Sequence, residues 1–180
     1  YKVWKKLNKN LKKKIYLISN YNLIRKQFVK LKYKTNIIKV KNFRENSNDL
    51  RLKIIDLDLK FKNPFKVPKE SASKFVFNSL NFAHKIALDQ NILGIINCPL
   101  NKSLLNRKNI GVTEFLASKC KIKKNSEVML IGNKNFFVCP ITTHIDLKDV
   151  SKKLNKKIII NKIKTINLWF LRKFKKKPKI

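Results

Sequence analysis

Residues 14–31, KIYLISNYNLIRKQFVKL, contain the clearest fold signal of the sequence. Its first six residues are mostly apolar and predict a short buried strand. Asn20 follows as a helix N-cap, because its side-chain oxygen can accept a hydrogen bond from a backbone N–H of the first turn. The next ten residues repeat apolar side chains at helical spacing and predict an amphipathic helix. A strand followed directly by a helix is the unit from which parallel α/β sheets are built.

Further predicted strands and helices follow this unit along the chain. We predict strands over 36–40, 52–57 and 93–98, a helix over 70–89 and short helices over 103–107 and 113–118. Strands over 127–131 and 136–141 are separated by a turn at Gly132 and Asn133, and a long amphipathic helix is predicted over 150–174. The alternation of helices and strands indicates an α/β fold with a largely parallel sheet.

The composition describes a globular chain with an extreme charge. The chain has 180 residues, 43% of them hydrophobic, which suffices for a buried core. Its net charge is +34, and of 44 basic residues only five are arginine. Such a charge attracts polyanions, but bidentate phosphate and base recognition favours arginine. We therefore interpret the lysine excess mainly as drift in an AT-rich genome, and expect neither a specific nucleic-acid partner nor a membrane.

Cysteine usage and hydropathy point to the cytoplasm. Cys98, Cys120 and Cys139 are odd in number and show no C-x-x-C spacing, so neither a disulfide framework nor a zinc ribbon is indicated. No apolar run approaches the roughly 18–20 residues that a membrane span needs. We expect a soluble protein in a reducing compartment.

Candidate chemistry lies after the predicted strands, because ligands of open α/β sheets bind beyond the carboxyl ends of strands. One such place is Pro99–Lys102, and another is Thr142–Val150, which contains His144. Each motif is also compatible with a purely structural role. The three glycines form no dinucleotide fingerprint and no P-loop, so a standard Rossmann site is not supported.

Taken together, the order and spacing of these motifs resemble the 4-hydroxythreonine-4-phosphate dehydrogenase family. The matching segments are Ser71-Ala72-Ser73, Pro99-Leu100-Asn101-Lys102, Gly111-Val112-Thr113-Glu114, Val128-Met129-Leu130, Thr142-Thr143-His144 and Leu147-Lys148-Asp149-Val150. The resemblance is concentrated between residues 71 and 150. It implies the three-layer α/β/α architecture of isocitrate and isopropylmalate dehydrogenases. Residues 1–98 would then be part of a first domain and residues 99–180 part of a second, both truncated.

The resemblance also implies an activity and a set of site residues. The reaction is NAD-dependent oxidation of 4-phosphohydroxy-L-threonine with decarboxylation to 3-amino-2-oxopropyl phosphate, in pyridoxal 5'-phosphate biosynthesis. A divalent ion (Zn, Mg or Co) would acidify the substrate hydroxyl and stabilise the enolate. His144 corresponds to one of three metal ligands, Val112 and Thr113 to substrate-binding positions, and Lys102 and Asp149 to catalytic positions. A homodimer is implied as well.

Two departures from the family pattern keep other hypotheses open. Val112 stands where the family has a substrate-contacting histidine, and valine offers no hydrogen bond. The family's glycine-rich segment and its other two metal histidines have no counterpart in this sequence, so we expect the chain alone to be an inactive fragment. The alternatives are a lysine-rich RNA- or ribosome-associated protein, for which Trp169, Phe170 and Phe174 lie among basic residues, and a catalytically inactive relative.

Overall fold

The computed structural model describes residues 1–89, 92–105, 111–120, 127–133, 136–143 and 145–180. It divides the chain into two compact units, Tyr1–Gly111 and Val112–Ile180. Each unit has helices and strands of its own. The domain boundary that we place near Cys98 stays a prediction.

The first unit is a small α/β layer structure. Its elements are α1 (Lys2–Lys6), α2 (Lys9–Lys14), β1 (Tyr16–Ser19), α3 (Tyr21–Lys30), β2 (Ile37–Val40), β3 (Leu52–Asp56), α4 (Lys69–Ala87) and a 3-10 turn (Lys102–Leu104). The predicted β-α unit is confirmed, since β1 runs into α3 through the cap at Asn20. The strands predicted over 36–40 and 52–57 are confirmed as well.

The sheet of this unit is parallel and has the strand order β1-β3-β2. Leu17 of β1 pairs with Ile54 of β3, and Ile38 of β2 pairs with Lys53. Strand β3, the last of these three strands in the sequence, is therefore the central one. A central parallel strand is covered on both faces, which explains why Leu52, Lys53, Ile54 and Ile55 are all buried. The mixed α/β class with a parallel sheet agrees with the sequence prediction.

The core on one face of the sheet is formed by helices α1 and α3. Trp4, Leu52 and Ile54 are its buried members. The partly buried side chains packed against them are Leu7, Ile15, Leu17, Tyr21, Ile24, Phe28 and Ile37. Apolar burial of this kind is the main favourable contribution to folding, so helix α1, which the sequence pattern left unassigned, is held by its tryptophan.

Helix α4 confirms the helix predicted over 70–89. It begins directly after Pro68, a residue that lacks the N–H a helix interior requires and is tolerated at a helix start. Leu80 and Ala83 are its buried residues. Its other apolar residues Phe75, Val76, Phe82 and Ile86 are half-buried, which is typical of a helix lying on a sheet.

The strand predicted over 93–98 is wrong in this structure. The segment 92–100 has no strand assignment, and Leu93 is 86% and Ile96 92% exposed. An apolar run becomes a strand only when a neighbouring strand accepts its backbone hydrogen bonds. The apolar pattern predicted burial, and no strand among the described residues pairs with this segment.

The second unit consists of short elements and one long helix. They are α5 (Val112–Lys119), β4 (Ile131–Gly132), β5 (Phe137–Val138), a 3-10 turn (Leu147–Asp149), α6 (Val150–Lys153) and α7 (Lys156–Phe174). Helix α5 confirms the helix predicted over 113–118. Strands β4 and β5 pair antiparallel, but each has two residues where five or six were predicted. The turn predicted at Gly132 and Asn133 is wrong at Gly132, which is the last residue of β4 and pairs with Phe137.

The single helix predicted over 150–174 is wrong, because the chain breaks it in two. Leu154 and Asn155 adopt extended backbone angles between α6 and α7. The Asn155 side chain accepts a hydrogen bond of 3.0 Å from the Ile158 N–H and so starts a new helix. Helix α7 ends at Phe174, and the next residue, Lys175, has a φ of 56°, the left-handed conformation common after helices.

Within the described part of the chain, no helix is both long and apolar enough to cross a membrane.

Candidate active site

The carboxyl ends of β1 and β3 carry a polar network that holds helix α3. Asn20 accepts a 2.9 Å hydrogen bond from the Leu23 N–H, and its side-chain amide donates to the Leu57 carbonyl at 2.8 Å. Asp56 accepts a 2.7 Å hydrogen bond from the Tyr21 N–H. These groups satisfy the free N–H groups of a helix start. The sequence predicted the role of Asn20, whereas the role of Asp56 follows from the strand register.

Asp56 also takes part in an ion pair at this edge. The Lys39 ammonium lies 2.7 Å from the second carboxylate oxygen of Asp56. Since Lys39 belongs to β2 and Asp56 to β3, the pair connects neighbouring strands. Both carboxylate oxygens of Asp56 therefore interact with groups that stabilise the fold.

A deep apolar groove of about 1060 Å³ lies in the first unit. One wall is formed by β1 and by Ile55 of β3, and another by the inner side of α4. Segment 92–100 forms a further wall, and residues of α2 and of the loop 43–48 complete the lining. A concave, mostly apolar pocket with a few polar groups at its rim is the usual form of a small-molecule site.

The motif with Lys102 begins where the lining of this groove ends. Asn101 accepts a 3.0 Å hydrogen bond from the Ser103 N–H and thereby forms the turn. The Ser73 hydroxyl donates a 2.6 Å hydrogen bond to the Leu104 carbonyl. Two of the family-like motifs, around Ser73 and around Lys102, are therefore in direct contact. The Lys102 side chain itself lies outside the described part of the structure.

Val112 and Thr113 form the first turn of α5. Val112 is half-buried and Thr113 is exposed, whereas Phe115 is buried and anchors the helix. The Thr113 hydroxyl faces solvent, where it can donate or accept a hydrogen bond. The side chain of Val112 can only make apolar contacts.

Asp149 ends a 3-10 turn and immediately precedes α6. Its carboxylate is half-buried and lies 3.8 Å from the Lys152 ammonium, one turn further along the helix. A carboxylate at a helix N-terminus also interacts favourably with the helix dipole. Asp149 therefore has a structural role that is independent of catalysis.

His144, the metal ligand that the resemblance implies, lies outside the described residues. Its neighbours Thr142 and Thr143 are half-buried and exposed, respectively. Among the residues that the structure describes, no three His, Cys, Asp or Glu side chains come together as a metal site would require. The described side chains therefore do not fit a complete divalent-metal site.

The predicted site residues are distributed over both units. Lys102 belongs to the first unit, and Val112, Thr113 and Asp149 belong to the second. Within the first unit, the structure joins the motif of Lys102 to helix α4 and to the end of the groove.

Sequence reasoning missed two buried lysines among the described residues, Lys162 of α7 and Lys53 of β3, and the second of these is the more deeply buried. Its side chain is fully buried, and its ammonium donates to the carbonyls of Lys12 at 2.9 Å and Asp49 at 3.0 Å. It also lies 4.8 Å from the centre of the Tyr16 ring. Burial lowers the pKa of Lys53, and the Asp49 carboxylate opposes this shift. No sequence signal marks it, because a lysine in a strand is ordinarily exposed.

Comparison with known proteins identifies the family. Residues 11–180 match the family model of pyridoxal phosphate biosynthetic protein PdxA. The chain belongs to this family. The expected resemblance is thereby confirmed, and it extends beyond the segment between residues 71 and 150 that suggested it.

Curated relatives in the PdxA family carry the name 4-hydroxythreonine-4-phosphate dehydrogenase. The relative from Aquifex aeolicus is 35% identical over 155 residues, which are 84% of this chain and 46% of the relative. The relative from Sulfurihydrogenibium is 30% identical over 151 residues, 81% of this chain and 45% of the relative. The chain therefore spans less than half the length of these relatives. No solved structure gives a significant match.

Proposed function

We propose that this chain is part of a dehydrogenase that oxidises 4-phosphohydroxy-L-threonine with NAD, followed by decarboxylation to 3-amino-2-oxopropyl phosphate. The observation that carries the proposal is the match of residues 11–180 to the PdxA family. The relatives named as 4-hydroxythreonine-4-phosphate dehydrogenase support the same reaction. The pathway of the proposed reaction is the synthesis of pyridoxal 5'-phosphate.

The architecture proposed for the whole polypeptide is that of isocitrate and isopropylmalate dehydrogenases, with two α/β domains and a homodimeric assembly. Residues 1–98 would belong to the first domain and residues 99–180 to the second. The parallel sheet β1-β3-β2 with helices packed on it supports this class of fold.

We assign the following roles to residues of this chain. Lys102 and Asp149 are the proposed proton-transfer groups, and the exposed Thr113 hydroxyl is a substrate contact. Val112 contributes only apolar contact at its position. The contact between Ser73 and Leu104 positions the turn that carries Lys102.

His144 is the proposed ligand of a divalent ion. One histidine cannot hold a catalytic ion, which in zinc enzymes has three protein ligands. The relatives are about twice as long as the matched segment, so further ligands would come from polypeptide beyond these residues. The choice among Zn, Mg and Co belongs to the same proposal.

The proposal is tested by assaying the whole polypeptide for NADH formation with 4-phosphohydroxy-L-threonine. His144→Ala should lower kcat/KM by more than about 100-fold, since even outer-shell partners of metal ligands cost about 10–100-fold. The matched control is His84→Ala, which changes the second histidine of the sequence, located on α4. This variant should retain activity. The 180-residue chain assayed alone is expected to form no NADH.

Two results would contradict the proposal. Equal activity of wild type and His144→Ala would remove the metal role of this histidine. A folded whole polypeptide without activity or metal binding would favour the catalytically inactive relative, for which Val112 in place of the family histidine is the supporting feature.

A further inference from the structure

The positive charge of the first unit is unevenly distributed. Residues 1–34 contain twelve Lys or Arg and no Asp or Glu, whereas residues 45–89 contain eight Lys or Arg and six Asp or Glu. The first stretch comprises helices α1, α2 and α3, which we call the basic layer. Compositional drift alone explains many lysines, but it does not explain this separation of charge between two parts of one unit.

Helices α1 and α3 of the basic layer are held together by their apolar sides. The ring of Tyr1 stacks on Tyr33 at 4.0 Å and meets Phe28 edge-on at 6.1 Å, which places the start of α1 beside α3. Trp4 is buried in the core that α1 and α3 share over the sheet. The lysines of these helices therefore lie on a surface that the fold makes rigid.

A groove of about 640 Å³ lies between α3 of the basic layer and the turn at residues 62–64, and four of its seven lining residues are basic. Its lining residues are Arg25, Lys26, Val29, Lys30, Lys62, Asn63 and Pro64. None of these seven described residues carries a carboxylate. Four basic residues therefore line this groove, and no acidic residue is among the lining residues.

The two walls of the groove are fixed relative to each other. The Gln27 side-chain amide donates a 2.8 Å hydrogen bond to the Pro64 carbonyl. The Lys26 ammonium lies 5.3 Å from the centre of the Phe61 ring, where it makes a cation–π contact. Lys26 and Lys30 are four residues apart on α3 and so point to the same side.

We propose that the groove along α3 binds the phosphate backbone of single-stranded RNA without sequence preference. Lysines and one arginine on a rigid concave surface suit a chain of phosphates, because binding releases the counterions condensed on the RNA. An anionic membrane fits less well. Interfacial helices bind membranes through an open apolar face, and the apolar sides of α1 and α3 are directed into the core.

The test measures binding of the full 180-residue chain to a fluorescein-labelled oligouridylate by anisotropy, over a series of salt concentrations. In one variant Arg25, Lys26 and Lys30 of α3 are changed to Gln. In the matched control Lys69, Lys74 and Lys85 of α4 are changed to Gln, which gives the same net charge. All six side chains are exposed, and circular dichroism establishes that both variants are folded.

The α3 variant should weaken binding on the order of 100-fold at 0.1 M salt, and should reduce the slope of log K against log salt by about 2, because single strands give about 0.7 per phosphate contact. The α4 control should have a much smaller effect. Equal losses in both variants would overturn the proposal, since the binding would then depend on net charge alone. No binding by wild type would overturn it too.

A second comparison covers the case in which the α3 triple variant does not fold. Lys30→Gln and Lys74→Gln are then compared singly, and only Lys30→Gln should reduce the salt slope, by about 0.7. Vesicles containing phosphatidylserine serve as the other probe. Tighter binding to the vesicles than to RNA, lost in the α3 variant, would assign the groove to a membrane surface and overturn the RNA proposal.

Discussion

Strand β3 in the first unit and the hairpin β4–β5 in the second show two different degrees of burial. Leu52, Lys53, Ile54 and Ile55 of β3 are buried, because parallel strands flank β3 and helices cover it. Both residues of β4 and both of β5 are exposed. The difference in burial indicates that the stability of this chain is concentrated around β3, where side chains from distant parts of the sequence pack together.

Helix α7 shows the same contrast on a larger scale. Ile159, Ile160 and Ile163 are each between 37% and 38% exposed, although they lie on an apolar stripe. The helix is defined mainly by local features, the cap at Asn155 and the left-handed residue Lys175. Regions with few buried apolar contacts open at a lower free energy than a packed core, so the second unit should unfold first.

The largest expected effect comes from truncating the core of the first unit. Ile54→Ala removes a side chain that is fully buried and should lower the free energy of unfolding by about 2–5 kcal/mol. Ile160→Ala on α7 should cost less than about 1 kcal/mol, because the side chain is 38% exposed and alanine favours the helix.

This comparison can be measured separately in each unit, because Trp4 lies in the first unit and Trp169 in the second. Urea denaturation followed by fluorescence in a Trp169→Phe background reports the first unit, and in a Trp4→Phe background the second. Similar losses for the two isoleucine variants would contradict the difference between the units.

A smaller effect is expected from removing the helix caps. Asn20→Ala should cost about 2–3 kcal/mol, because it removes the cap of α3 and leaves the half-buried Leu57 carbonyl without this donor. Asn155→Ala should cost about 1 kcal/mol, because Asn155 is exposed and the substitution removes its capping hydrogen bond with the Ile158 N–H. Urea denaturation in the same two backgrounds measures both; a larger cost at Asn155 would reverse the comparison.

The smallest expected effect is a pH dependence from Lys53. Because burial lowers its pKa in the folded chain, the unfolded chain binds more protons between that lowered value and the ordinary 10.5. Stability should therefore rise with pH across this window, and the rise should be absent in Lys53→Met.

The pH experiment needs a background without Tyr16. Burial raises the pKa of Tyr16 above 10.0, so its contribution to stability falls as the pH rises above 10.0 and opposes that of Lys53. The free energy of unfolding is therefore measured by urea denaturation between about pH 8 and 11 for two proteins, Tyr16→Phe and the double variant Tyr16→Phe with Lys53→Met. Parallel curves for the two proteins would show that Lys53 does not titrate in this window.

The local parts of the fold could be predicted from sequence. Residues 14–31 contain a strand, a cap and a helix whose signals lie within a few residues of each other. The break at Asn155 had such a signal too, an asparagine before an apolar run, but the helical period continues across it and concealed the cap. The segment 93–98 shows the limit, since its apolar pattern does not specify whether a partner strand is present.

The candidate site was accessible from sequence only through motifs. Lys102, Val112, Thr113, His144 and Asp149 were identified because the order of their motifs resembles one family, and the family is now established. Their individual roles stay predictions. The contact between Ser73 and Leu104 could not be predicted, because it joins residues 31 positions apart through a tertiary fold.

Sequence patterns alone indicated the unit of β1 and α3, the strands β2 and β3, helix α4, the family, and the separation of charge that creates a basic layer. Three features became known only from the tertiary structure. Strand β3 is the central strand, the buried Lys53 ammonium donates hydrogen bonds to two backbone carbonyls, and Asp56 accepts a hydrogen bond from the first residue of α3. The reason is the sequence separation over which each interaction acts. Caps and amphipathic periods act between near neighbours, whereas strand order and the partners of buried polar groups depend on hydrogen bonds between distant segments.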